Sequence, residues 1–193
     1  NELAKPEASD EELQKFASYL AKVLYGLDSA IHINIGNHPY VEKSETAPYT
    51  LLTTKWPLWT KEPLSQGFIS DSDIRAAQDL VTKLSGHVRA GLSHGDFSPW
   101  HIIVTPQERI LIDGDHSSII KPRYYDLAYI YSRLFSRNRS RLATSQLLRE
   151  FVEHSGVSPT DFASAFLPVL TSRAIGVCND AAHDLSANHD YRD

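Results

Sequence analysis

The chain contains no methionine and a single cysteine, Cys178. One cysteine excludes an internal disulfide and makes a reducing, cytoplasmic compartment the simplest expected setting. Cys178 lies in an apolar helical pattern and reads as a packed thiol. The missing methionine and the start at Asn1 suggest a chain that is not an intact initial translation product. No uninterrupted apolar run approaches the roughly 20 residues that span a bilayer, and no secretory leader opens the sequence, so no membrane partner is expected. Strong positive charge is also lacking: 19 Lys and Arg against 24 Asp and Glu leave a net charge of −5. That balance argues against a general nucleic-acid binder. One basic stretch, Arg133, Arg137, Arg139 and Arg141 with Arg149 beyond, reads as a solvated loop between helices ahead of a contact to an anionic substrate. Internal repeats, low-complexity tracts and clear linkers are absent, and 193 residues make one domain or little more.

What remains is a pattern of amphipathic helices around one short β signal. Ser9 and Glu12 have the spacing of a capping box, and Leu13, Phe16, Leu20, Val23 and Leu24 recur on one face of a helix expected to end near Gly26. Residues 28–66 are harder to read. Ile31 to Ile35 alternates like a strand, Thr50 to Thr53 suggests another, and Pro39, Tyr40, Pro48, Tyr49, Trp56, Pro57, Trp59 and Pro63 surround them. Such a stretch reads first as a packed surface loop; its functional reading is an insertion that walls a small-molecule pocket. Ser70 or Asp71 then caps a helix whose stripe is Ile74, Ala77, Leu80, Val81, Leu84 and Val88, with Gly91 as its end. Further helices are expected from Tyr124 to Phe135, from Thr144 to His154 with Gly156 as stop, and from Ser158-Pro159 onward, the last kinked or divided at Pro168.

Between the second and third of these helices lies His94-Gly95-Asp96-Phe97-Ser98-Pro99-Trp100-His101. Two apolar runs follow, Ile102 to Val104 and Ile110 to Ile112, joined by a turn-like segment through Pro106, and the second run ends in Asp113. The runs read as a β-hairpin. A hairpin returns the chain to the loop it left, so it brings Asp96 and Asp113 together. A carboxylate in a tight polar loop suits a base, and one at the end of a strand suits a hard-cation ligand.

This arrangement resembles the catalytic loop and metal-binding strand of aminoglycoside phosphotransferase-like kinases, a group that includes choline kinase-like enzymes. Their loop usually reads H-G-D-x-x-x-x-N. The resemblance implies Asp96 as catalytic base, Asp113 as metal ligand, and His94 as a residue that shapes the loop. Tyr125-Asp126-Leu127-Ala128 resembles a downstream Asp-Leu-Ala element in which the Asp steadies that loop. The dense match covers about residues 92–135. It implies an α+β, mainly α fold, the C-terminal lobe of a protein-kinase-like architecture spanning 1–193. The implied activity is transfer of a phosphoryl group from ATP, with Mg²⁺ or Mn²⁺, to a hydroxyl of an aminoglycoside, sugar, choline-like alcohol or other metabolite. Nothing upstream resembles the glycine-rich turn and buried Lys that hold ATP phosphates. The expectation is therefore a lobe without its nucleotide-binding partner lobe, inactive by itself, with no nucleotide-contacting residue assigned.

One position departs from the family pattern: the loop ends in His101 instead of Asn. Imidazole nitrogen suits Mn²⁺, Zn²⁺ or Fe better than Mg²⁺. Altered or reduced metal binding stands ahead of a packed His101, and a catalytically weak kinase-like scaffold is the alternative function. A metallohydrolase using His94, Asp96, His101, Asp113, Asp115 and His116 ranks last. Asp115 and His116 read as a solvated turn, and Trp100 as a packing residue.

Overall fold

A computed structural model describes residues 8–29, 48–105, 109–136 and 139–186. The order is α1 (Asp10–Ser29), α2 (Pro48–Thr53), α3 (Trp56–Trp59), α4 (Lys61–Ser65), α5 (Asp71–Leu84), β1 (Ala90–Ser93), β2 (Ile102–Val104), β3 (Arg109–Leu111), β4 (Ser118–Pro122), α6 (Tyr125–Ser136), α7 (Arg141–Ser155) and α8 (Pro159–Ser186). The fold is mainly helical, with two small antiparallel sheets, β1 with β4 and β2 with β3, and has the character of a kinase-like C-terminal lobe. No nucleotide lobe occurs among the described residues.

The helix starts follow the caps in the sequence. Ser9 and Glu12 exchange hydrogen bonds of 2.9 and 3.3 Å through their backbone N–H groups and side chains. Ser70 and Asp73 make the same box with 2.9 and 3.2 Å bonds. Each box satisfies two N–H groups that a helix start leaves without partners. Helix α1 runs on past Gly26 to Ser29, because Asp28 at its end is held by Arg123, whose Nε and guanidinium NH₂ group donate 2.7 and 2.6 Å bonds. Its buried face is Leu13, Phe16, Ala17, Leu20, Ala21 and Leu24. That face lies along α7 in the same direction, with Ser140 bonded to Asp10 at the two starts and Ser18 to Glu150 further on, at 2.8 and 2.7 Å.

Three expectations need correction, and two others fall outside the described residues. Thr50 to Thr53 is helical, part of α2: the Ser172 hydroxyl of α8 donates a 2.5 Å bond to the Leu52 carbonyl and accepts one of 3.3 Å from the Trp56 indole, so tertiary contact overrides the β-branched local preference. The strand expected at Ile31 to Ile35 and the turn at Pro106 lie outside the described residues. Gly91 does not merely end a helix; it sits in β1, opposite Lys121, where a Cβ would come within 2.9 Å of the Arg123 Cα. Pro168 does not divide α8, which is continuous over 28 residues. This helix is long and apolar enough to satisfy a membrane-span test by length and composition, yet it contributes Phe162, Phe166, Val169 and Ile175 to the core. There Phe162 stacks on Phe166 at 5.0 Å, and Tyr124 meets Phe162 edge-on at 5.2 Å. Full burial of each such ring stabilises the fold by roughly 1.5–3 kcal/mol.

Candidate active site

β1 carries the chain into His94, and α6 fixes how it leaves. The Asp126 carboxylate, in the first turn of α6 and only 5% exposed, accepts the N–H groups of His94 at 2.6 Å and Gly95 at 2.9 Å and the Ser93 hydroxyl at 3.2 Å. Burial pushes its pKa up from the ordinary carboxylate value, while the N–H groups of Gly95 and His94 and the Ser93 hydroxyl pull it back. Gly95 has φ +88°, a conformation L side chains rarely adopt, and a Cβ there would run into the Lys121 ammonium and the His116 carbonyl. The His94 ring joins this turn to the hairpin: its Nε2 donates to the Ile112 carbonyl at 2.8 Å. Its Nδ1 is buried without a hydrogen-bond partner.

Hairpin register then brings Asp113 to the loop. Ile102 pairs with Leu111, and the Ile112 N–H donates a further 2.9 Å bond to the His101 carbonyl. Asp113, the next residue, turns in the left-handed region at φ 63° and directs its carboxylate to His101, with Nε2 to Oδ2 at 3.2 Å. The other ring nitrogen, Nδ1, is 2.7 Å from the Asp96 backbone carbonyl and 3.0 Å from the Ser98 hydroxyl. A carbonyl only accepts, so Nδ1 carries the proton and Nε2 presents its lone pair to another acceptor. Two acceptors that converge in this way can share one cation. Donating one ring N–H to a carbonyl is also how a metal-ligating histidine is oriented.

One donor atom from each of Asp96, His101 and Asp113 lies within 4.8 Å of the other two. His101 is 12% exposed, Asp96 32% and Asp113 48%, so the set is anchored at its centre and open on one side. These residues fit a divalent cation: two oxygen donors and one correctly oriented nitrogen.

Residues 5–159 match the sequence model of the phosphotransferase enzyme family, the aminoglycoside phosphotransferase-like (APH) group. The chain belongs to this family. No curated protein matches it. Membership gives the chain phosphotransferase-like character and leaves the acceptor open.

The structure brings together all five residues singled out in the sequence of this phosphotransferase-family chain: Asp96, His101 and Asp113 around one point, with His94 and Asp126 beneath them. Asp115 and His116 are exposed, as a solvated turn should be. Trp100 departs from its expected packing role; it is 41% exposed and lines a cavity of about 460 Å³ together with Tyr129, Arg133 and Arg173. Arg133 leaves the solvated-loop reading as well: its guanidinium lies 5.9 Å from the centre of the Trp100 ring and donates to the Tyr129 hydroxyl at 3.1 Å. Burial pushes the pKa of that hydroxyl up, Arg133 opposes the shift, and Asp96 adds to it. Sequence reading missed Tyr129 and Arg173. The available signals were the four-residue spacing of Tyr125, Tyr129 and Arg133 on one face of α6, and a lone Arg173 within the apolar run of α8.

Proposed function

We propose that this chain forms the acceptor- and metal-binding side of an ATP-dependent small-molecule phosphotransferase. The observation that carries the reading is the convergence of Asp96, His101 and Asp113 on a loop whose backbone is fixed by Asp126. Asp96 accepts the proton of an acceptor hydroxyl as the new O–P bond forms; the bond from the γ-phosphorus to its bridging oxygen breaks, and ADP leaves with the bond pair. Asp113 and His101 hold the divalent cation, whose chemistry when bound is to neutralise charge on the phosphate oxygens. His94 and Asp126 position the loop and touch no reacting atom. Ile103 and Ile110 face each other across the hairpin and are 44% and 40% exposed, offering an apolar surface beside the metal set for the base of the nucleotide. Residues 51–59 of the 28–66 region supply a wall of the acceptor side through Leu51, Leu52, Lys55 and Trp59.

The test is calorimetric titration of the chain with a non-hydrolysable ATP analogue and Mg²⁺ or Mn²⁺, with Asp113→Ala as comparison. Binding that requires metal and disappears in the variant supports the reading. Metal-nucleotide binding equal in both chains would remove Asp113 as ligand. No binding with either metal would favour a catalytically weak scaffold. The imidazole at position 101 predicts that Mn²⁺ supports tighter binding than Mg²⁺.

A further inference from the structure

Beside the loop, on the side of β4, lies a second cavity of about 250 Å³ bounded by α2, α3, β4 and α8. Three cationic residues line it, Lys55, Lys121 and Arg173, and among the described residues no carboxylate does. Leu51, Leu52 and Val169 with the Trp59 ring supply apolar parts of the wall, and Ser118, Tyr125 and Ser172 add hydroxyl groups. Arg173 is balanced from its far side, because Asp180 accepts its NH₂ group at 3.0 Å, yet its buried Nε has no hydrogen-bond partner. The two lysines lack such balance at the cavity. Lys121 donates one bond, 2.8 Å, to the His116 carbonyl, which is neutral, and the Lys55 ammonium stands 5.6 Å from the centre of the Trp59 ring. Burial is the main influence that disfavours the charged form of Lys121, and the charge of Lys55 adds to it. The carboxylates that favour it, Asp126 in the first turn of α6 and Asp96 in the loop, do not line the cavity. Three cationic residues and no carboxylate among the described residues of one cavity wall make it a place where an anion would be held by charge-assisted bonds.

The cavity also adjoins the reacting centre. Lys121 lies against Gly95, so closely that a Cβ there would collide with its ammonium, and Gly95 immediately precedes Asp96. We infer that this cavity selects the phosphoryl acceptor, a hydroxyl compound with an apolar body and an anionic head group held by Lys55 and Lys121. The inference rests on the phosphotransferase reading for the word acceptor, but the specificity of the cavity stands independently of transfer. Cationic acceptors, such as amino-sugars or choline-like alcohols, are disfavoured here by like charge.

The experiment is titration of the chain, without nucleotide, with 4-(hydroxymethyl)phenylacetate, its carboxamide and 4-(hydroxymethyl)benzylamine, followed by calorimetry and by saturation transfer to the ligand protons. The carboxylate is expected to bind at least about tenfold more tightly than the amide, as a charge-assisted bond to each lysine would give, and the amine more weakly than either. Lys55→Gln, on an exposed residue where folding is not at stake, should reduce the acid-over-amide preference to less than about threefold. Lys121→Gln should do the same. Equal binding by acid and amide, tighter binding by the amine, no binding by any of the three, or a preference that survives Lys55→Gln would each overturn the inference. Acid preference in a chain that binds no metal-nucleotide in the titration proposed above would instead count against the phosphotransferase reading and leave the anion-selective cavity in place.

Discussion

Replacing Asp126 tests whether the loop is held as described, because one carboxylate satisfies three donors at 2.6, 2.9 and 3.2 Å. In Asp126→Ala the N–H groups of His94 and Gly95 lose their acceptor, the former in a residue only 5% exposed. Each buried donor left without an acceptor costs about 1–3 kcal/mol, so the loss is about 3–5 kcal/mol, a large part of a domain stability of about 5–15 kcal/mol. Asp126→Asn is gentler. Its amide oxygen keeps one N–H, its NH₂ group faces the other, and about 2 kcal/mol is lost. With a urea slope of about 2 kcal/mol/M this moves the unfolding midpoint down by about 1 M, and circular dichroism is sufficient to measure it. The pH dependence supplies a second readout. Burial raises the folded pKa above the unfolded value, so the folded chain keeps the proton where the unfolded chain has released it. The stability linked to that proton is full below the ordinary carboxylate value and is lost as pH rises through the raised folded value. Asp126→Asn should flatten that part of the pH–stability curve. A midpoint shift below about 0.2 M together with an unchanged pH profile would refute the assignment of Asp126 as the clamp of the loop.

Three further outcomes are expected. Gly95→Ala should destabilise the chain by at least about 1–3 kcal/mol from its positive φ alone, with more from the clash with Lys121 and His116; an unchanged melting temperature would contradict the loop geometry. His101→Asn should raise affinity for Mg²⁺ relative to Mn²⁺ in a metal-dependent nucleotide titration, and an unaltered ratio would remove His101 from the ligand set. In a protein that carries a nucleotide lobe beside this chain, Asp96→Asn should cut turnover by about 10²-fold or more, the usual range for loss of a general base, with nucleotide affinity roughly retained; turnover equal to that of the parent protein would eliminate Asp96 as the base.

Much of this protein is legible from short-range signals. The Ser9 and Ser70 boxes, the stripe of α1 and the Gly156 stop, which adopts φ 64°, are consequences of residues within one or two helical turns. The loop from His94 to His101, the hairpin and the later Asp126 could be found in order along the chain, because each is contiguous. Only Val81 and Val88 of the stripe expected in and just after α5 are fully buried; Ile74, Ala77, Leu80 and Leu84 are half-covered. Periodicity identifies a face but does not say how completely another element will cover it. The same limit explains α2, where a locally strand-like Thr50 to Thr53 is held as a helix by Ser172 of α8.

The sequence by itself determined the element types around the site, the family motif and the identity of five candidate residues, since these depend on neighbours along the chain. Tertiary structure alone decided which nitrogen of His101 faces Asp113, because the Asp96 carbonyl claims the other. It alone placed Lys55, Lys121 and Arg173 around one cavity: they belong to three elements far apart in sequence, and charge surplus is a property of the space between them, which no local pattern records.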